Sequence, residues 1–405
     1  MNLSNTVLIF ISLLNIQQAF AISFIEAAKK LSTHESVQRI EKSSLSVREG
    51  AGERGSWGDP MFKVSAKNYP KDSLKDNETP MTGLEFGVSQ KIALSTKYGN
   101  IQNAMTSLAN SLNYDAKNKE LSLVKGLWEV VILRRKMVSE KIILEENYSW
   151  IKKILKVSKK LYANGRTSQQ ALLDIQIRKS ELEVQLSNKS YELSQLEDRL
   201  NYLVVAKGGD KFKYNSVPWK VLSTKASKIK DFKELSLKSK LNSKSYGLTA
   251  SKQNFLPDVT VGLGYTKRSN IDNRGDFVGA SISFPLPFSG KKYSAYGKAV
   301  NEKYSAKKEL ENYKRSKDRD SKILEKEIKK VIGEVSILTK KTIKFAKNSR
   351  KITAKSYSLG NSSYVELLQS ELKLQKMLMK KVMLVAKRDI KKVTLRYILG
   401  ESLYE

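Results

Sequence analysis

Five residues recur in the same order at one fixed separation. Tyr162, Gly165, Ser168, Leu172 and Leu173 are followed 195 residues later by Tyr357, Gly360, Ser363, Leu367 and Leu368. A second echo, at 194 residues, links Val88-Ser89-Gln90-Lys91-Ile92 to Ile282-Ser283-Phe284-Pro285-Leu286. Solenoid repeats run to a few dozen residues, so a period this long marks a duplicated half of the chain. Any fold the chain adopts has to accommodate one structural unit twice.

Each copy carries a pair of alternating segments. In the first, Phe62, Val64 and Ala66 oppose Lys63, Ser65 and Lys67; after a polar loop, 70–80, Leu84, Phe86, Val88 and Ile92 oppose Glu85, Gly87, Ser89 and Lys91. In the second, Val259, Val261, Leu263 and Tyr265 alternate with Asp258, Thr260, Gly262 and Gly264, and Val278, Ala280, Ile282 and Phe284 with Gly279, Ser281 and Ser283. Two-residue alternation with one apolar face predicts strands. About nine residues per strand suits a transmembrane β-strand, although a soluble sheet with one wet face alternates in the same way. The hairpins are expected over 60–92 and 257–285.

Between and after the hairpins the chain reads as long helices. Residues 95–163 contain no proline, and at ~1.5 Å per residue such a helix reaches roughly 100 Å. The matching stretch, 291–358, has a seam of Leu324, Ile328, Val331, Val335, Leu338, Thr342 and Phe345 in 4-3 spacing, the register of coiled-coil packing. Leu144, Tyr148, Ile151 and Leu155 form the first copy's seam, interrupted upstream by Arg134 and Lys141. Each long helix ends in a tip, 164–168 or 359–363, and returns as a second helix that Ser168 or Ser363 is placed to cap. A helix over 23–48, loosening at Glu49-Gly50-Ala51-Gly52, opens the first repeat (22–205). A loop-like linker, 206–225, precedes the second (226–405), which opens on a helix over 226–254.

Composition narrows the functional classes. The apolar run Val7 to Leu14, broken only by Ser12 and followed by Ala19-Phe20-Ala21, has the layout of a secretory leader spanning 1–21, although no Lys or Arg precedes Lys29. No later stretch approaches ~18 consecutive apolar residues, so no transmembrane helix is expected after it. The chain has no cysteine and a single histidine, His34, which leaves no thiol chemistry, no lipid-modified cysteine and no His-based catalytic or metal site. No cofactor or metal is expected, and no catalytic constellation is found. The net charge of +33 is spread over lysines from Lys29 to Lys392, a pattern of solvated helix faces rather than of a nucleic-acid patch.

A four-stranded sheet in a bilayer leaves edge N–H and C=O groups facing lipid, at several kcal/mol each. Closure must then come from further copies of the chain, and two, three or four would each give an even strand number. Here the motifs resemble those of the TolC family of outer-membrane efflux channels. Leu84-Glu-Phe-Gly-Val-Ser-Gln-Lys-Ile resembles that family's first inner strand, and Ala280-Ser-Ile-Ser-Phe-Pro-Leu-Pro-Phe-Ser-Gly its second. Both Tyr-x-x-Gly tips, each with its Ser and Leu-Leu pair, resemble the family's helix tips. The stretch Gly50 to Pro60 is similar to the CzcC-like heavy-metal-efflux branch.

The resemblance implies a mainly α protein with a transmembrane β part: a homotrimer whose twelve-stranded barrel continues into a periplasmic α-barrel. It implies a location in the outer membrane of a Gram-negative bacterium, in contact with outer-membrane lipid. The implied partners are a periplasmic adaptor docking at the helix tips and, through it, an inner-membrane pump for efflux or type I secretion. Carried over by position, the docking residues are Gly165, Arg166, Thr167 and Ser168, and Gly360, Asn361, Ser362 and Ser363. Asp174, Glu366 and Gln369 match the channel aperture, with Gln369 departing from an acidic pair. Lys63, Lys67 and Glu85 are expected to face the barrel lumen and bias which ions pass. The alternatives are a periplasmic coiled-coil adaptor, which would flank one hairpin with β-rich domains, and a soluble basic helical scaffold.

Overall fold

The computed structural model describes residues 21–204, 211–224, 230–286, 288 and 290–404; apart from Ala21, the expected leader lies outside them. In chain order the elements are β1 (Ala21–Ile22), α1 (Phe24–Lys30), α2 (Glu35–Arg54), β2 (Met61–Lys67), β3 (Gly83–Ala93), α3 (Lys97–Ala163), α4 (Gln169–Val204), β4 (Lys211–Phe212), α5 (Phe232–Gln253), β5 (Asp258–Arg268), β6 (Phe277–Ser283), α6 (Gly290–Ile337), α7 (Ile343–Ser358) and α8 (Tyr364–Leu399). Two compact units form, and they cut across the two sequence repeats. One takes Glu35–Lys119 and Asp231–Arg319; the other takes the residues up to His34, Glu120–Lys230 and Asp320–Glu405.

The first unit holds a four-stranded antiparallel sheet in the order β2-β3-β5-β6, with the two hairpins joined through their inner strands. Register puts Phe62, Val88, Leu263 and Ala280 in one cross-strand row, and Val64, Phe86, Tyr265 and Val278 in the next. These rows share the apolar face, where Phe62, Val64, Leu263, Val278 and Ile282 are exposed. Between them run the rows of the other face, such as Lys63, Gly87, Gly264 and Gly279. Beside the sheet, Asp258 accepts from Lys97 Nζ (2.8 Å) and Tyr98 Oη (3.1 Å), fixing the start of β5 to the start of α3. Asp231 caps α5 and also accepts from Tyr313 Oη at 3.0 Å.

The opening helix departs from expectation. It breaks at a 3-10 turn, Leu31–Thr33, and then runs through Gly50 and Gly52 to Arg54 instead of loosening at Glu49. Two helical glycines cost roughly 1 kcal/mol each, but Ala51 between them is buried and holds the turn in place. The chain leaves the helix at Gly55, where an added Cβ would lie 2.7 Å from Ala51 O and 2.9 Å from Gln102 Cβ, so only glycine fits that exit.

The second unit is built on long helices around Trp128. This residue is fully buried, its ring 4.7 Å from Phe24 and 5.6 Å from Trp219, and its Nε1–H donates to Leu403 O at 2.6 Å. One side chain of α3 thus gathers α1, the linker and the C-terminal residues. Arg134 lies over Tyr214 and Arg135 over Trp219, both in the linker, at 3.5 and 3.7 Å from the ring centroids. β1 pairs in parallel with β4. Among the described residues no helix is long and apolar enough to cross a membrane.

The 4-3 seam of the second long helix holds as far as Leu338 and then shifts. Leu338–Thr342 is a π turn, whose i→i+5 pattern inserts one residue. Beyond it Ile343, Ala346 and Tyr357 are buried, while Phe345, expected on the seam, is 68% exposed.

Candidate functional site

The tips are built by backbone geometry that the repeated glycine permits. Gly165 and Gly360 have φ of +71° and +80°, the left-handed region where a Cβ is strained. In the first tip Arg166 N–H donates to Leu161 O (2.8 Å) and Gly165 N–H to Tyr162 O (2.9 Å). In the second, Asn361 N–H donates to Ser356 O (2.9 Å) and Gly360 N–H to Tyr357 O (3.0 Å). Both are Schellman ends, satisfying the carbonyls that a helix terminus leaves open. The next helices start on the repeated serines. Ser168 Oγ accepts from Ala171 N–H (3.2 Å), and Ser363 Oγ from Glu366 N–H (3.2 Å).

The copies diverge in what surrounds these turns. Glu366 completes a capping box: its carboxylate accepts from Ser363 N–H at 3.3 Å and from the Ser362 hydroxyl. The first copy has Ala171 at this position, and its cap is one-sided. Tyr357 is buried and shares a 2.8 Å hydrogen bond with Ser158 of α3, whereas Tyr162 is exposed. Gly165, Arg166, Gly360, Asn361 and Ser363 are exposed, with Thr167 and Ser362 half-buried.

Of the residues matched to the aperture, Asp174 accepts from Gln170 Nε2 at 3.0 Å and bonds the Tyr364 phenol, which that bond holds above its ordinary range. Glu366 is occupied with its helix cap, and Gln369 is exposed. Asp174 therefore reaches the start of α8 through Tyr364.

The helices also enclose a charged network that none of the sequence motifs marks. Arg178 of α4 and Glu371 of α8 are buried at 7% and 0% side-chain exposure, with Arg178 Nε 3.3 Å from Glu371 Oε2. Arg178 also bonds Glu181 (3.0 Å) and Gln375, and Gln375 Nε2 donates to Gln185 Oε1 at 3.2 Å. Burial pushes the Glu371 carboxyl above its ordinary range, and the Arg178 and Arg350 guanidiniums pull it part of the way back. The signal lay in spacing: Arg178 falls on the buried row Ala171, Ile175, Arg178, Leu182, and Glu371 on Leu367, Glu371, Leu374. A charge on each of two facing apolar rows marks a pair.

On the sheet, Lys67 Nζ lies 2.9 Å from Glu85 Oε2, which also accepts from Ser65 Oγ at 2.9 Å. Two of the three charges expected on the lumen face neutralise each other, leaving Lys63 beside Gly87. The outer strands β2 and β6 have no further strand partner among the described residues, and β6 is exposed along its whole length. Two apolar stripes with seven-residue spacing also lie open: Ile177, Val184 and Tyr191 on α4, and Phe345 and Ile352 on α7, continued by Leu359 at its C-terminal cap.

No protein-family model and no curated protein matches the chain. Solved structures do match over nearly its whole length. The crystal structures of CusC, described as undergoing conformational changes on folding and transmembrane channel formation, align with TM-score 0.79 at 13% identity, covering 94% of this chain and 92% of that one. The outer membrane protein VceC from Vibrio cholerae aligns with TM-score 0.76 at 12% identity, covering 94% and 96%. The Campylobacter jejuni CmeC outer membrane channel aligns with TM-score 0.73 at 14% identity, covering 97% and 92%. The chain thus has the fold of these outer-membrane channel proteins, the TolC-like architecture expected from its motifs.

Proposed function

We infer that the chain is the outer-membrane channel of a tripartite export system, conducting substrates from a periplasmic adaptor and inner-membrane pump to the exterior. The observation that carries this reading is the sheet. One of its faces is exposed and apolar, both edges lack a strand partner among the described residues, and its strands lead in sequence into helices far longer than such a sheet needs for support. In water that face and those edges are an aggregation hazard. In a bilayer the apolar face meets lipid, and the edges are satisfied once copies of the chain close a barrel.

Three copies would supply twelve strands. The stripes on α4 and α7 support the same association, since seven-residue apolar spacing suits knobs-into-holes packing between neighbouring copies. The chain acts by conduction, with no catalytic step. The paired tips form the periplasmic entrance: Gly165, Arg166, Thr167 and Ser168, with Gly360, Asn361, Ser362 and Ser363, offer an exposed docking surface for the adaptor. Asp174, Glu366 and Gln369 line the approach to the aperture, and adaptor binding shifts a closed tip towards an open one. With Lys67 and Glu85 paired, Lys63 is left of those three charges and, with Lys91 on the same face, favours anions. A heavy-metal cargo rests on residues 50–60 alone, and the metal and drug sensitivity of a deletion strain separates it from other cargoes.

Purified full-length protein added to a planar lipid bilayer tests the function. Stepwise conductance with anion preference in a salt gradient is expected. Native protein recovered from the soluble fraction without detergent, and silent in the bilayer, overturns it.

A further inference from the structure

The π turn at Leu338–Thr342 decides which side chains of α7 face the helices packed against it. Without the inserted residue, the seam would run on from Leu338 through Thr342, Phe345, Ser349 and Ile352. With it, the inward positions are Ile343, Ala346, Arg350 and Tyr357. An arginine thereby takes a seam position, where the first copy has Leu155, 195 residues earlier. π turns within α-helices concentrate at functional sites, and here the consequence is a cation turned inward.

Arg350 lines a cavity of about 620 Å³ between α3, α7 and α8. Trp150, Leu374 and Leu378 give it an apolar wall, and its lining also holds three cations, Lys347, Arg350 and Lys351, against one carboxylate, Glu146. A guanidinium has five N–H donors. The hydrogen bond from Arg350 to Asn147 Oδ1 is long, at 3.4 Å, and the guanidinium carbon lies 5.3 Å from the Trp150 ring centroid. Desolvation holds the group below its ordinary pKa, with Glu371 and Glu146 opposing that from a distance. The space is open on one side, and it presents an apolar wall and a cluster of cations to the same ligand.

We propose that this cavity binds a small organic anion with an aromatic or aliphatic body. Its carboxylate or sulfonate is taken by Arg350 with Lys347 and Lys351, and its body lies against Trp150 and the two leucines. The site belongs to the helical unit of a single chain, so it stands or falls independently of whether the protein conducts.

The probe is 4-phenylbutyrate, with the neutral amide 4-phenylbutyramide as its control. Each is titrated into the full-length protein in non-ionic detergent and followed by calorimetry and tryptophan fluorescence. A ligand of about 12 non-hydrogen atoms in such a site has a dissociation constant on the order of 1 mM. The amide is expected to bind about 10-fold more weakly or worse, because it lacks the charge-assisted hydrogen bonds. Arg350→Gln is expected to weaken the carboxylate to the same degree. Because Arg350 also bonds Asn147, the second variant is Lys347→Gln/Lys351→Gln on the exposed rim, expected to weaken it roughly 3- to 10-fold. Equal affinity for acid and amide, unchanged affinity in both variants, or no binding up to about 10 mM overturns the proposal.

Discussion

Replacing Arg178 by methionine removes the hydrogen-bonded cation from a carboxylate that has no exposed surface. Arg350 acts on Glu371 only as a more distant charge. An ionised carboxylate left so buried takes up a proton. Keeping Glu371 protonated at pH 7, 2.5 pH units above the ordinary value of 4.5, costs ~1.36 kcal/mol per pH unit, or ~3.4 kcal/mol. At pH 5 the same term falls to ~0.7 kcal/mol. The variant should therefore lose about 3–4 kcal/mol at neutral pH, within the range for a broken buried pair, and much less in acid. The wild-type chain has a weaker linkage of the same sign. Glu371 binds its proton more tightly in the fold than when unfolded, so its contribution is complete below pH 4.5 and declines as pH rises through the raised value. Arg178→Met/Glu371→Leu replaces the pair by apolar groups of similar volume and should return close to wild type. Native-state hydrogen exchange of the tip-proximal amides of α4 and α8, at pH 5 and pH 7, reads all three proteins. A loss in Arg178→Met that does not change with pH, or a double variant no better than the single, would refute the reasoning.

Gly360→Ala forces a Cβ onto φ of +80° and should cost about 1–2 kcal/mol. Gly333→Ala, in α6 with nothing within 4 Å of the added Cβ, should instead stabilise by up to about 1 kcal/mol; thermal unfolding compares the two. Val278→Arg places a charge on the exposed apolar face and should cost about 2–4 kcal/mol of insertion. That loss is read as the fraction assembled into lipid vesicles, and no effect would mean the face is in water. Trp128→Phe removes the indole donor from Leu403 O inside the core and should cost about 1–3 kcal/mol in denaturant unfolding.

Local signals in the sequence carried much of this architecture. Strand alternation located both hairpins and the face each side chain takes, because a period of two leaves no freedom once one face is apolar. The Gly and Ser of each tip stand for their backbone roles, a left-handed turn and an N-cap, so the ends of the helices were readable. Most of what escaped depends on contacts distant in sequence. The 4-3 spacing through Thr342 and Phe345 is regular on paper. The π turn that expels Phe345 and admits Arg350 is settled by what α7 packs against. Gly50 and Gly52 read as a loosening, since the burial of Ala51 between them leaves no local trace. Glu366 matched an aperture acid by position, yet its spacing from Ser363 is also that of a capping box, and that local bond is the one it makes. Arg178 and Glu371 lie 193 residues apart, and only their two apolar rows taken together mark them as a pair.

A closed barrel requires β2 of one copy to pair with β6 of another. The chain has no cysteine, so an engineered disulfide between these two edge strands has no competing thiol. One cysteine in β2, combined in turn with cysteines along β6 and oxidised in the native membrane, should give covalent species ending at three copies, with a maximum at one register. Protein that stays at one copy for every pair, or a ladder running past three, would contradict the closed barrel.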